Sequence, residues 1–126
     1  RGVDARLINI RTSGTTLLAT ETLDAAAIAF GSPTLNMTLM PQMAAGLTYL
    51  KGLKPTGKAG FAFGSYGWAK GGARDVEAYL KEMKFEILRE PLQSRFVPGE
   101  EILDECRAAG RMLGDRALAV AGGEKE

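Results

Sequence analysis

The sequence predicts an α/β protein, a doubly wound parallel sheet with helices on both faces and three layers in all. Two short, unbroken apolar runs, AAAIAF at Ala25–Phe30 and AGFAF at Ala59–Phe63, each end in glycine, as strands buried on both faces do. After each run the apolar residues recur at a period near 3.6, as crossover helices require. Strand and helix signals also alternate along the chain rather than segregating, which is the order a parallel sheet needs.

Taken from the amino end, Val3–Ile10 alternates Val3, Ala5, Leu7 and Asn9 with Asp4, Arg6, Ile8 and Ile10, a strand that grows more apolar toward its end. Thr12–Leu23, rich in Thr and Ser, reads as a connection with one short helical turn at most. Beyond the AAAIAF strand, Leu39, Met43, Leu47 and Leu50 share a helix face; beyond AGFAF, so do Val76, Tyr79, Leu80 and Met83. Phe85–Leu92, FEILREPL, reads as a further strand disrupted at its end by Pro91. Glu100 to about Val120 reads as a last helix with Ile102, Cys106, Ala109 and Leu113 inward. Residues 1–121 then make one domain, and Gly122–Glu126 a polar tail expected to fray. At 126 residues a single core buries roughly two thirds of the unfolded surface.

Composition removes several classes of function. Sixteen Lys and Arg against fifteen Asp and Glu leave a net charge of +1 with no basic block, which argues against nucleic acid or an anionic membrane as partner. No apolar run approaches the roughly 20 residues that span a bilayer, and RGVDARLINI lacks a signal-peptide layout, so the expected location is cytoplasmic. The chain has no histidine and one cysteine, Cys106. A disulfide within the chain, a thiolate or imidazole zinc site, and Ser-His or Cys-His nucleophile pairs are therefore excluded. Cys106 reads as a small buried apolar residue. Redox or transfer chemistry has to rest on a bound cofactor.

Parallel sheets bind ligands beyond the carboxyl ends of their strands, and two strand-to-helix loops open there. One is SPTLN, Ser32, Pro33, Thr34, Leu35 and Asn36; the other is GSYGW, Gly64, Ser65, Tyr66, Gly67 and Trp68. If their strands are adjacent, the loops form two lips of one slot. A plainer reading makes SPTLN a Ser-Pro turn into a helix and GSYGW a turn whose aromatic rings cover the sheet edge.

With their spacing, GSPTLN at Gly31–Asn36 and FGSYGW at Phe63–Trp68 resemble the carboxy-terminal flavodoxin-like domain of flavodiiron proteins, as do LDAAAIAFGSPTLN, VEAYLKEMKFEIL and ILDECRAAGR around them. The resemblance covers nearly the whole chain. It implies a flavodoxin-like fold and a flavin mononucleotide (FMN) whose isoalloxazine ring is bordered by SPTLN and GSYGW. Leu35, Tyr66 and Trp68 offer it flat apolar surface, Gly64 and Gly67 allow backbone amides to approach, and Ser32, Thr34, Asn36 and Ser65 add polar groups.

The departures from the family are specific. Val3–Ile10 resembles the family's second strand, so its first strand, phosphate loop and first helix are expected to be missing and the domain amino-terminally incomplete. Thr12–Thr16 looks like a phosphate loop but follows the wrong strand. Lys70 and Lys84 stand where glycine is common, or at Lys70 another non-basic residue. The family reduces oxygen or nitric oxide at a di-iron centre in a metallo-β-lactamase-like domain. This chain resembles only the electron-transfer part, which implies that domain of the parent or of a partner subunit, and an electron donor protein or reductase, as partners. No complete active site is expected within the chain. The alternative is a flavin-free interaction or assembly module. An unfilled position beside apolar strands further predicts a homodimer or exchanged assembly.

Overall fold

The computed structural model describes residues 2–55, 57–68 and 70–121, and the predicted tail Gly122–Glu126 lies outside them. In chain order the elements are α1 (Thr15–Asp24), β1 (Ala27–Gly31), β2 (Thr34–Leu35), β3 (Thr38–Leu39), α2 (Pro41–Leu53), β4 (Ala59–Tyr66), α3 (Gly72–Glu82), β5 (Glu86–Ile87), β6 (Leu92–Arg95) and α4 (Glu100–Ala121).

β4 is the centre of the sheet. Along one side β1 pairs with it in parallel, from Ala27 opposite Ala59 to Gly31 opposite Phe63. Along the other side β5 and then β6 lie end to end, also parallel, with Ala59 opposite Glu86 and Phe63 opposite Leu92. Side chains alternate across the strands and so supply two cores. Phe30 and Ala62 point to the larger one, with Leu47 and Leu50 of α2 and Val76 and Leu80 of α3, all four wholly buried. Ala29 and Phe61 point to the smaller one, closed by Ile102, Ala109 and Leu113 of α4. Helices thus cover both faces, as the three-layer reading expects.

Four details differ from the sequence reading. Val3–Ile10 is not a strand. Alternation records which side of a chain is apolar, whereas a strand also needs a ladder partner, and among the described residues none lies beside it. Thr12–Leu23 contains a full helix, α1, buried through Leu18, Ala19 and Thr22. Because one position of that face is Thr22, only 4 % exposed, the apolar period is masked in the sequence. Its carboxyl end is held by Lys58, whose Nζ donates to the carbonyls of Leu23 (3.0 Å) and Ala25 (2.6 Å). FEILREPL is not continuous: β5 holds two residues, and Pro91 immediately precedes β6, where it has no ladder N–H to supply. Cys106 is exposed. Of the four positions expected inward on α4, Ile102, Ala109 and Leu113 pack against the sheet and Cys106 does not.

α3 ends in a Schellman motif, with the Phe85 amide bonded to Leu80 O and the Lys84 amide to Lys81 O, both at 3.0 Å. Lys84 is left-handed there (φ 61°), which accounts for glycine being common at that place. Among the described residues no helix is long and apolar enough to cross a membrane.

Candidate functional site

Parallel pairing of Gly31 with Phe63 makes Ser32 and Gly64 leave the sheet side by side, at its carboxyl edge. The Ser32 amide donates to Phe63 O at 3.1 Å, and a β-carbon on Gly64 would fall 2.0 Å from Ser32 O. The structure therefore brings the two predicted loops together, closer than any residue but glycine permits.

SPTLN does not lead directly into a helix. After Pro33 it forms the hairpin β2–β3, with Thr34 opposite Leu39, around a tight turn whose two central residues, Asn36 (φ 50°) and Met37 (φ 65°), are left-handed. Ser32 is 2 % exposed and its hydroxyl is paired twice, donating to Pro33 O (2.8 Å) and accepting from the Met40 amide (2.9 Å) just ahead of α2. The Thr34 hydroxyl accepts from the Gly72 amide at 3.0 Å, and the Thr38 hydroxyl donates to the Asp75 carboxylate. Both partners lie in the first turn of α3. Asn36 is exposed at the tip beside Leu35, and Thr38 is exposed as well.

β4 continues through Tyr66, so most of GSYGW is strand rather than loop. Tyr66 is half-buried, with Lys70 Nζ 5.4 Å from its ring centroid. Trp68, beyond the strand, is 98 % exposed. The chain then returns to the hairpin at Gly71, where a β-carbon would lie 2.0 Å from Met37 O. A third loop borders the second: the Phe96 amide donates to Tyr66 O (2.8 Å), and Arg95 Nε donates to Gly67 O (3.3 Å). Leu35, Met37, Phe63, Phe96 and Val97 are exposed along this edge.

These surroundings suit one part of FMN and not another. A flat ring finds an unpacked tryptophan, a half-buried tyrosine and the aliphatic Leu35, with Asn36 as a polar group. A phosphate favours uncapped helix amino ends without nearby acids. Ser32 takes the amide of Met40, ahead of α2, and Thr34 that of Gly72 in α3, while the first turns of α3 and α4 carry Asp75, Glu100 and Glu101; α2 has proline in its first turn, which has no N–H to offer, and no acid there. Thr12–Thr16 does open a helix, α1, with Gly14 as its cap and no acid in the first turn, but the segment ahead of it is not part of the sheet.

Sequence reasoning missed Met37, Gly71, Gly72, Asp75, Arg95 and Phe96. The pair Gly71-Gly72 three residues before an acid was the available signal for a tightly packed helix start. The third loop is hidden in the sequence because Pro91, the residue just ahead of β6, looks like the end of a strand.

A family model described as flavodoxin matches residues 1–110. The nitric oxide reductase of Moorella thermoacetica is 37 % identical over 116 residues, 91 % of this chain and 29 % of that protein. The solved rubredoxin oxygen:oxidoreductase from Desulfovibrio gigas superposes with a TM-score of 0.86 at 29 % identity, over 90 % of this chain and 28 % of that one. For the flavodiiron protein from Giardia intestinalis the TM-score is 0.77 at 38 % identity, over 87 % of this chain and 28 % of that one. This chain thus spans less than a third of the length of these relatives.

Proposed function

We propose that this chain, which belongs to the flavodoxin family and is homologous to flavodiiron proteins, serves as the FMN-binding electron-transfer domain of a flavodiiron-type oxygen or nitric oxide reductase. The observation that carries the reading is Trp68, 98 % exposed just past the carboxyl end of β4, whose neighbour β1 leads into a hairpin with Leu35 and Asn36 exposed. Flavodoxins bind FMN as a family. FMN supplies reversible uptake and release of electrons. The residues of this chain would orient its ring: Trp68, Tyr66 and Leu35 by flat contact, Asn36 and Ser65 by polar contact, and Gly64 and Gly67 by letting backbone approach. Ser32, Pro33 and Thr34 fix the hairpin that carries Leu35 and Asn36. The partners in this reading are a di-iron metallo-β-lactamase-like domain and an electron donor protein.

The acid-bearing starts of α3 and α4 favour a second reading for the chain standing alone, a flavin-free interaction module. Both readings are tested by titration with FMN and with riboflavin, which lacks the phosphate. Trp68 is the single tryptophan, so its fluorescence reports on the slot. Without charge-assisted hydrogen bonds to phosphate, each worth roughly 1.5–3 kcal/mol, the two flavins should bind alike and weakly, in the micromolar range or above. Nanomolar FMN binding with weak riboflavin binding would refute this account of the phosphate. If neither flavin quenches Trp68 at saturating concentration, the module reading stands instead.

A further inference from the structure

We propose that Asp75, Thr38 and Thr34 are positioning residues, through which the first turn of α3 holds the β2–β3 hairpin as the preset wall of the slot. The proposal rests on the flavin reading above. A hairpin with two residues in each strand is not stable by itself. This one also keeps two consecutive non-glycine residues, Asn36 and Met37, at positive φ, a conformation that neither the two-residue strands nor the methionine favours. Something outside the hairpin has to hold it.

The candidates are specific. The Thr38 hydroxyl donates to the Asp75 carboxylate, and the Thr34 hydroxyl accepts from the Gly72 amide at 3.0 Å, so each strand of the hairpin is tied once to α3. Backbone contact accompanies both ties: β-carbons at Gly71 and Gly72 would lie 2.0 Å from Met37 O and 2.7 Å from Pro33 O. Gly71, which meets Met37 O, is also the residue just ahead of α3. The hairpin is therefore fastened to one helix start, whose geometry sets where Leu35 and Asn36 are held. The threonine hydroxyls act through the wall, since the bond each makes ties the hairpin to α3.

The test uses the 126-residue chain and four variants: Thr38→Val, Asp75→Ala, Thr34→Val and the conservative Thr38→Ser. Amide hydrogen exchange of residues 34–39 is measured without flavin, and lumiflavin, the ring without ribityl or phosphate, is titrated against Trp68 fluorescence. Loss of a hydrogen bond to a charged group should speed hairpin exchange about tenfold in Thr38→Val and Asp75→Ala and weaken lumiflavin by a similar factor. Exchange in β1 and β4 should not change. Thr38→Ser should restore both readouts, and Thr34→Val should act in the same direction. Unchanged hairpin exchange in Thr38→Val and Asp75→Ala overturns the tie, whatever the flavin does. Faster exchange with unchanged lumiflavin affinity overturns the positioning role. Failure of the parent chain itself to bind lumiflavin overturns the flavin reading and this role with it, and is seen before any variant is compared.

Discussion

The carbonyl oxygen of Ser32 stands 2.0 Å from where a β-carbon at position 64 would be, so β1 and β4 keep their loops together only because residue 64 is glycine. Backbone cannot swing aside as a side chain does. Gly64→Ala should therefore force the strands apart at the slot, with a loss of about 1–3 kcal/mol in denaturant unfolding. Gly110, within α4 and with nothing within 4 Å of its would-be β-carbon, is the contrast. Gly110→Ala should gain about 0.5–1 kcal/mol from helix propensity alone. Equal effects of the two substitutions would show that the contact at Ser32 is not tight.

Lys84 occupies the left-handed position of the Schellman motif that ends α3. A side chain there crowds the following carbonyl, at a cost of about 1 kcal/mol, while the motif's hydrogen bonds use backbone only. Lys84→Gly should therefore raise stability, by an amount reduced by the greater freedom of glycine in the unfolded chain, to about 0.5 kcal/mol. Thermal unfolding of the parent and variant at matched pH checks it, and a lowered midpoint contradicts it. The departure from the family at this residue then reflects tolerated backbone strain, with no bearing on the slot.

The parts of the fold that were legible in the sequence are those with long-range patterns. Ala25–Phe30 and Ala59–Phe63 announced β1 and β4 by unbroken apolar runs, and parallel pairing alone then put Ser32 beside Gly64. α2 and α4 followed from faces repeated over about three turns and α3 from one over about two. The hairpin was not legible, because two-residue strands such as Thr34–Leu35 are too short to show a period. Nor were the roles of Ser32 and Thr34: a hydroxyl in a loop looks ready for a ligand until its partner is known, and the partner of Thr34 lies 38 residues away. Val3–Ile10 shows the opposite error. Its alternation is genuine, with Ile8 and Ile10 half-buried and Leu7 98 % exposed, but alternation does not provide a neighbour strand.

That missing neighbour bears on association. β1 pairs with β4 on one side, and among the described residues its other edge has no ladder partner. Its sequence, AIAFG, has no charge or proline to discourage a second strand. The 126-residue chain should therefore self-associate through this edge, as a dimer or an exchanged assembly. Light scattering across a wide concentration range tests it. A stable monomer at every concentration would remove the edge as an interface.

Trp68 separates the two uses of an aromatic loop. Had the ring covered the sheet edge, it would be packed; at 98 % exposure it adds almost nothing to the core. Trp68→Ala should accordingly leave the unfolding midpoint without flavin unchanged and weaken flavin binding by roughly 1 kcal/mol or more. With the reporter gone, flavin fluorescence or calorimetry has to read the affinity. Tyr66, half-buried and under Lys70 at 5.4 Å, should show a mixed result, with Tyr66→Ala losing both stability and affinity. Lys70 adds an electrostatic test, because a cation near the ring favours added negative charge. Lys70→Glu should lower the reduction potential of bound flavin, more at low than at high salt, where ions screen an exposed charge. An unmoved potential would place Lys70 away from the ring. If Trp68→Ala, Tyr66→Ala and Lys70→Glu all left affinity, spectrum and potential as they were, the flavin would not lie against this loop, and the slot between the hairpin and GSYGW would need another occupant.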